Sequence, residues 1–221
     1  MLYQAIRKAC EKYHSYGYGI DYATALACYR DAFTRRRKGD SPDRPSHEEA
    51  WILLSFANGW NARMRASFED IHSSLIKIEP DLEKLRGKTI LDVCLDERID
   101  GNSARFLIKR CFATLKESGG GSAVVGPSKI LHIINPDLYV MWDTAIIEKY
   151  GCGKYILYTD FLRKMQSLAN QVVCEVMEQD ESHSRETAIA SLTGCRHTLA
   201  KALDEYNYVN FTLPRLQGQK T

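Results

Sequence analysis

Lys129 and Asp143 are the residues whose types and settings could do chemistry. Lys129 lies near the start of a predicted helix, in Gly126-Pro127-Ser128-Lys129-Ile130-Leu131-His132-Ile133-Ile134, with apolar residues around it. The positive end of a helix macrodipole disfavours an ammonium, and apolar surroundings also favour the neutral amine. A lysine in that state is a nucleophile that can form a Schiff base near neutral pH. The plain alternative is a lysine on a mostly buried helix, snorkelling to solvent. Asp143, in Trp142-Asp143-Thr144-Ala145-Ile146-Ile147, reads as an N-cap, ionised and fixed by backbone N–H groups. Its plain role is capping alone.

The elements between them set whether the two can meet. A helix over 127–134 advances about 12 Å. Residues 135–142 can span roughly 26 Å, enough to return to its start. Asn135-Pro136-Asp137 supplies the reversal. Lys129 and Asp143 can therefore face one another.

Upstream, Leu107, Ile108, Cys111, Phe112 and Leu115 mark the apolar face of another helix. Gly119-Gly120-Gly121 ends it, since consecutive glycines carry a large entropic penalty inside a helix. The next helix starts at Gly126-Pro127, where the missing proline N–H does no harm. Helix, glycine turn and helix form a helix-hairpin-helix pattern, about 105–150, whose N-terminal amides can hold a phosphate. Gly121, Gly126 and Lys129 also suggest a nucleotide phosphate loop. That motif needs its lysine directly after the second glycine, and a strand before it; Pro127-Ser128 intervene here, and a helix precedes.

These residues resemble the helix-hairpin-helix DNA glycosylase superfamily, and most closely its 8-oxoguanine DNA glycosylase-like branch. The resemblance rests on Ser128-Lys129-Ile130-Leu131-His132, then Pro136, then Trp142-Asp143-Thr144, and covers roughly residues 106–148. It implies that Lys129 attacks C1′ of a damaged nucleoside in double-stranded DNA. Asp143 would assist departure of the base and stabilise charge. The substrate would be an oxidised purine such as 8-oxoguanine, flipped out of the duplex. The Schiff base would then support AP lyase chemistry by β-elimination. Gly126, Ser128 and neighbouring amides would hold a phosphate, with a monovalent cation at the hairpin and no other cofactor.

Further residues carry two readings each. His132, one turn from Lys129, suits proton transfer or a hydrogen-bonded place in the core. Trp142, Trp51 and Trp60 could stack on an extruded base or pack inside the protein. Arg196, beside His197, could reach a phosphate.

The composition sets wider bounds. The chain has 221 residues, 44% hydrophobic and 26% charged, with a net charge of +2, ordinary values for a globular domain. No apolar run approaches a membrane span, and the N-terminus lacks the apolar stretch of a signal peptide. Seven dispersed cysteines without C-x-x-C or Cys/His pairing suggest reduced, largely buried thiols in an intracellular protein, cytoplasmic or nuclear, and no metal site. Residues 1–65 carry 11 Lys+Arg against 7 Asp+Glu, the remainder 19 against 21. The excess centres on Arg35-Arg36-Arg37-Lys38, which reads either as a nucleic-acid contact or as a basic final helix turn.

Periodicity predicts helices over 2–15, 21–37, from a Ser46 capping box through Phe56, and near 68–76, 80–86, 89–96, 103–117, 127–134 and 144–150. Two long ones follow over 156–179 and 184–206. Val124-Val125 and 137–142 are the only strand-like pieces. The chain reads as an all-α helical bundle, a single domain in which lobes 1–100 and 101–221 could flank a cleft. Three functions remain open: a glycosylase, a non-catalytic helix-hairpin-helix nucleic-acid-binding protein, and a helical interaction protein.

Overall fold

A computed structural model describes residues 1–39, 41–120, 124–151, 157–179, 184–194 and 197–218, the side chains of 18–20 aside. The helices in chain order are α1 (Leu2–Ser15), α2 (Tyr18–Lys38), α3 (His47–Gly59), α4 (Phe68–Leu85), α5 (Ala104–Ser118) and α6 (Gly126–Ile134). They continue as α7 (Thr144–Lys149), α8 (Tyr158–Gln179), α9 (Arg185–Thr193), α10 (Leu199–Asn207) and α11 (Leu213–Leu216). A π-helical turn, Tyr208–Thr212, joins the last two. Strands β1 (Arg98–Ile99) and β2 (Asn102–Ser103) form one small antiparallel hairpin. The protein is mostly helical, as expected.

Two compact units interleave along the chain. The first comprises Met1–Gly19, Lys88–Val93 and Pro136–Thr221; the second comprises Ile20–Gly87 and Cys94–Asn135.

In the second unit, α3 opens on the expected capping box. Glu49 N–H donates to Ser46 Oγ at 3.2 Å, and Ser46 N–H donates to Glu49 Oε2 at 2.8 Å. Ser67 and Asp70 repeat the device at α4. The two helices predicted over 68–76 and 80–86 are one, α4, with Pro80 inside it. A proline there costs about 3 kcal/mol through its missing N–H and its ring clash. Ile71, Leu75, Ile78, Leu82 and Leu85 are all buried on the same helix. At about 1.5–3 kcal/mol each, their burial outweighs the break.

No helix forms over 89–96. Thr89 and Asp92 close a single turn, with Val93 N–H donating to Thr89 O at 3.0 Å, and the chain then passes into the second unit. The missed element lies just after. Asp100 and Gly101 take φ of 49° and 85° between β1 and β2. Two central residues with positive φ make the turn that suits a two-residue hairpin, and Asp-Gly favours it. Ser103 then caps α5, accepting from Phe106 N–H at 3.1 Å. Leu53, Ile71, Leu107, Ile108, Leu115 and Ile130 fill the core of this unit.

In the first unit, α1 packs against α8, α9 and α10. Its buried Tyr3, Ile6, Ala9 and Tyr13 recur at the helical period. The long helix predicted over 184–206 is two, because Gly194 at φ 61° turns the chain out of α9. The strand-like stretch 137–142 pairs with no strand. It runs as irregular backbone, exposed at Asp137 and buried from Leu138 to Trp142, and two of its carbonyls have donors from elsewhere in the unit. Asp137 O accepts from Ile90 N–H at 2.8 Å, and Val140 O from Tyr158 Oη at 2.8 Å.

The thiols are less buried than expected. Cys28, Cys94 and Cys174 are exposed, and Cys111 is buried. Cys152 and Cys195 lie outside the described residues. No helix among the described residues is long and apolar enough to cross a membrane.

The basic run at the end of α2 is paired inside its own unit. Arg35 lies 3.1 Å from Asp31 and 2.9 Å from Glu48; Arg37 lies 3.4 Å from Asp43. Arg36 is buried between Glu49 at 3.0 Å and Glu79 at 2.9 Å, joining α2, α3 and α4. Removing a partner from such a site leaves uncompensated buried charge, here two carboxylates. Arg36→Met should therefore lower unfolding free energy by about 3–5 kcal/mol, measured by urea denaturation. Glu49→Gln with Glu79→Gln in that background should recover part of the loss.

Candidate functional site

The predicted helix-hairpin-helix pattern falls on α5 and α6. Helix α5 ends at Ser118, and Gly120 follows at φ 89°, a conformation open to glycine at little cost. Residues 121–123, which include Gly121, lie outside the described residues. The element before the turn is a helix, so the phosphate-loop alternative lacks its strand. Pro127 sits in the first turn of α6, and every residue from Gly126 to Ile133 is buried.

Gly126 is there for space. A Cβ added to it would lie 2.2 Å from Met64 Sδ and 2.4 Å from Met64 Cγ. Ser128 has no exposed surface, and its hydroxyl donates to Val125 O at 2.8 Å. Val124 and Val125, just before Gly126, are half-buried.

Lys129 is the fourth residue of α6 and only 7% exposed. The snorkelling alternative is thereby set aside. Its Nζ donates to the carbonyl of Trp60, the residue that closes α3. The carbonyl end of a helix is a favourable place for a positive charge. Lys129 thus sits between the N-terminal turn of its own helix and the C-terminal end of another. Sequence showed the first of these surroundings. The second comes from a residue 69 positions away.

His132 is fully buried, with Nε2 3.0 Å from Tyr22 Oη. This is the hydrogen-bonded place in the core that one of its two readings describes. Trp60 packs 5.0 Å from Phe56, centroid to centroid, whereas Trp51 on α3 is 62% exposed.

Asp143 and Trp142 belong to the other unit. Asp143 is the N-cap of α7, accepting from Ile146 N–H at 3.0 Å. Its second oxygen accepts from Thr212 Oγ1 at 2.5 Å, which ties α7 to the π-helical turn. Thr212 went unnoticed because it lies 69 residues away, past the last predicted helix. Trp142 is buried, its ring 5.0 Å from Tyr158 and 5.2 Å from Phe161. Arg196 lies outside the described residues. Gly126, Ser128, Lys129 and His132 therefore share one helix, while Trp142 and Asp143 share one segment of the first unit.

Gly126→Ala should destabilise the protein by about 1–3 kcal/mol, the usual cost of forcing extra atoms into a packed site. Met64→Ala in that background should return part of it, and a thermal-denaturation cycle measures the coupling. No family model, curated protein or solved structure matches this chain.

Proposed function

We propose that the chain is a base-excision DNA glycosylase with AP lyase activity, acting on an oxidised purine such as 8-oxoguanine in double-stranded DNA. The observation that carries the reading is Lys129 itself. A lysine at the first turn of a hairpin helix, 7% exposed, is shielded from the water that would otherwise solvate its charge. The pattern of α5, glycine turn and α6 supports the same reading, as does an aspartate opening the following helix with both oxygens held.

The Lys129 amine lone pair forms a bond to C1′ as the glycosidic bond breaks, and the bonding pair leaves with the base, which takes up a proton. Loss of the amine proton and opening of the sugar ring give the imine. Removal of a C2′ proton then expels the 3′ phosphate, and water releases the lysine. A carboxylate that assists base departure and offsets positive charge developing on the sugar is the role the resemblance gives Asp143.

A second reading has its own observation. The hydrogen bond from Lys129 to the Trp60 carbonyl suits a lysine that closes α3 and does no chemistry. The protein would then bind nucleic acid through phosphates, with affinity falling steeply as salt rises.

Borohydride treatment with abasic-site DNA separates the two. The wild-type protein should leave a covalent adduct, and Lys129→Gln should leave none while keeping its thermal midpoint within a few degrees. An adduct that survives Lys129→Gln, or none from the wild type, contradicts the catalytic reading. Asp143→Asn should fold, since asparagine caps a helix nearly as well. It should bind DNA as before, while base release slows by about 10²-fold or more. Unchanged single-turnover release would remove Asp143 from the chemistry.

A further inference from the structure

His14, His197 and Glu205 offer ligand atoms that all lie within 4.8 Å of one another. They come from three places in the first unit: the last turn of α1, the segment before α10, and α10 itself. His14 Nε2 is 2.8 Å from His197 Nε2 and 3.5 Å from Glu205 Oε2. His197 Nε2 is 4.0 Å from Glu205 Oε1. Thr198 steadies the segment, capping α10 and donating to Pro136 O at 2.5 Å.

The carboxylate calls for an explanation. The Glu205 side chain is 0% exposed, and among the described residues neither oxygen accepts a hydrogen bond from a nitrogen or oxygen donor. A buried carboxylate left so is costly, and polar groups of this kind are rarely orphaned. The Lys201 ammonium is 3.5 Å away, but it donates to Asp204 Oδ2 at 2.7 Å and to Tyr13 Oη at 3.3 Å. The Cys10 thiol, one turn before His14 on α1, adjoins Glu205 as well. The two imidazoles meet each other Nε2 to Nε2, and both of these nitrogens stand beside the same carboxylate.

We infer that His14, His197 and Glu205 form a binding site for a divalent transition-metal ion of the zinc class. One dication answers both imidazole lone pairs and the carboxylate together. Two nitrogens and one oxygen suit zinc-like ions, whereas magnesium and calcium favour all-oxygen sets. Zinc–nitrogen bonds of roughly 2.0–2.1 Å at tetrahedral angles place the two Nε2 atoms about 3.3 Å apart. The imidazoles need to open by about 0.5 Å to reach that spacing. His14, whose side chain is 28% exposed, has room to turn. Three protein ligands leave a fourth position for water or for the Cys10 thiol. The ion would fasten the end of α1 to α10, so its first effect is on the stability of this unit. The site stands apart from the glycosylase reading and does not depend on it.

The test uses the full chain, stripped with a chelator and dialysed. Zn2+ titrated in a calorimeter should bind at one ion per chain and raise the thermal midpoint. Co2+ should give a visible ligand-field spectrum. His14→Gln and Glu205→Gln should each weaken binding by at least about tenfold, as losses around metal sites do. His47→Gln, on the exposed start of α3, should leave it unchanged. His14→Gln, at a partly exposed ring, keeps the test sound should the buried Glu205→Gln variant fail to fold. No stoichiometric binding to the wild type, or binding by His14→Gln and His197→Gln as tight as that of the wild type, would overturn the assignment. An ion held by the exposed cysteines would give the second of these results.

Discussion

A lysine that scarcely touches water must have its polar end answered inside the protein, and α6 is arranged around that requirement. Lys129 reaches past its own helix to the last carbonyl of α3. Met64, in the segment after α3, packs so close to Gly126 that its side chain would have to shift to admit a Cβ there. His132, one turn further along α6, takes its partner from Tyr22 on α2. The buried face of α6 is thus bound to α2 and to the end of α3. Whether the amine acts on a substrate or only closes α3, its position is set by these contacts.

The same unit shows how charge can mislead when read along a chain. Arg35 to Lys38 looks like a patch waiting for phosphate. In space, carboxylates on α2 itself, on α3 and α4, and at Asp43 in the connecting segment stand within 4 Å of three of the arginines. Most of the run's charge is spent on joining helices. The first unit carries a parallel case in α10, where buried Lys201 and Asp204 pair with each other beside the less well-answered Glu205.

Local chemistry was legible in the sequence where the partners are near neighbours. The Ser46–Glu49 box, the Asp143 cap and the proline opening α6 each involve residues within one turn. The sequence misleads where a local signal is weak or outweighed. The helices predicted over 68–76 and 80–86 are one, because α4 has enough apolar surface to bury through Pro80. Gly194 lies inside the helix that periodicity predicts over 184–206, yet its positive φ ends α9. Asp100-Gly101 gives little signal because the strands it joins are only two residues each. The site features that were missed are all long-range. Trp60 with Lys129, Thr212 with Asp143, and His14 with His197 are separated by 69, 69 and 183 positions. Periodicity reports which face a residue occupies; it carries no record of what that face meets.

The proposed chemistry requires the Lys129 nitrogen itself to bond to the sugar. Digestion of the borohydride-reduced protein–DNA complex, followed by mass spectrometry of the peptides, tests this most directly. The reduced sugar remnant should reside on the peptide that contains Lys129, at its side-chain nitrogen. A remnant on the N-terminal amine or on a different lysine would contradict it and leave Lys129 as the residue that closes α3.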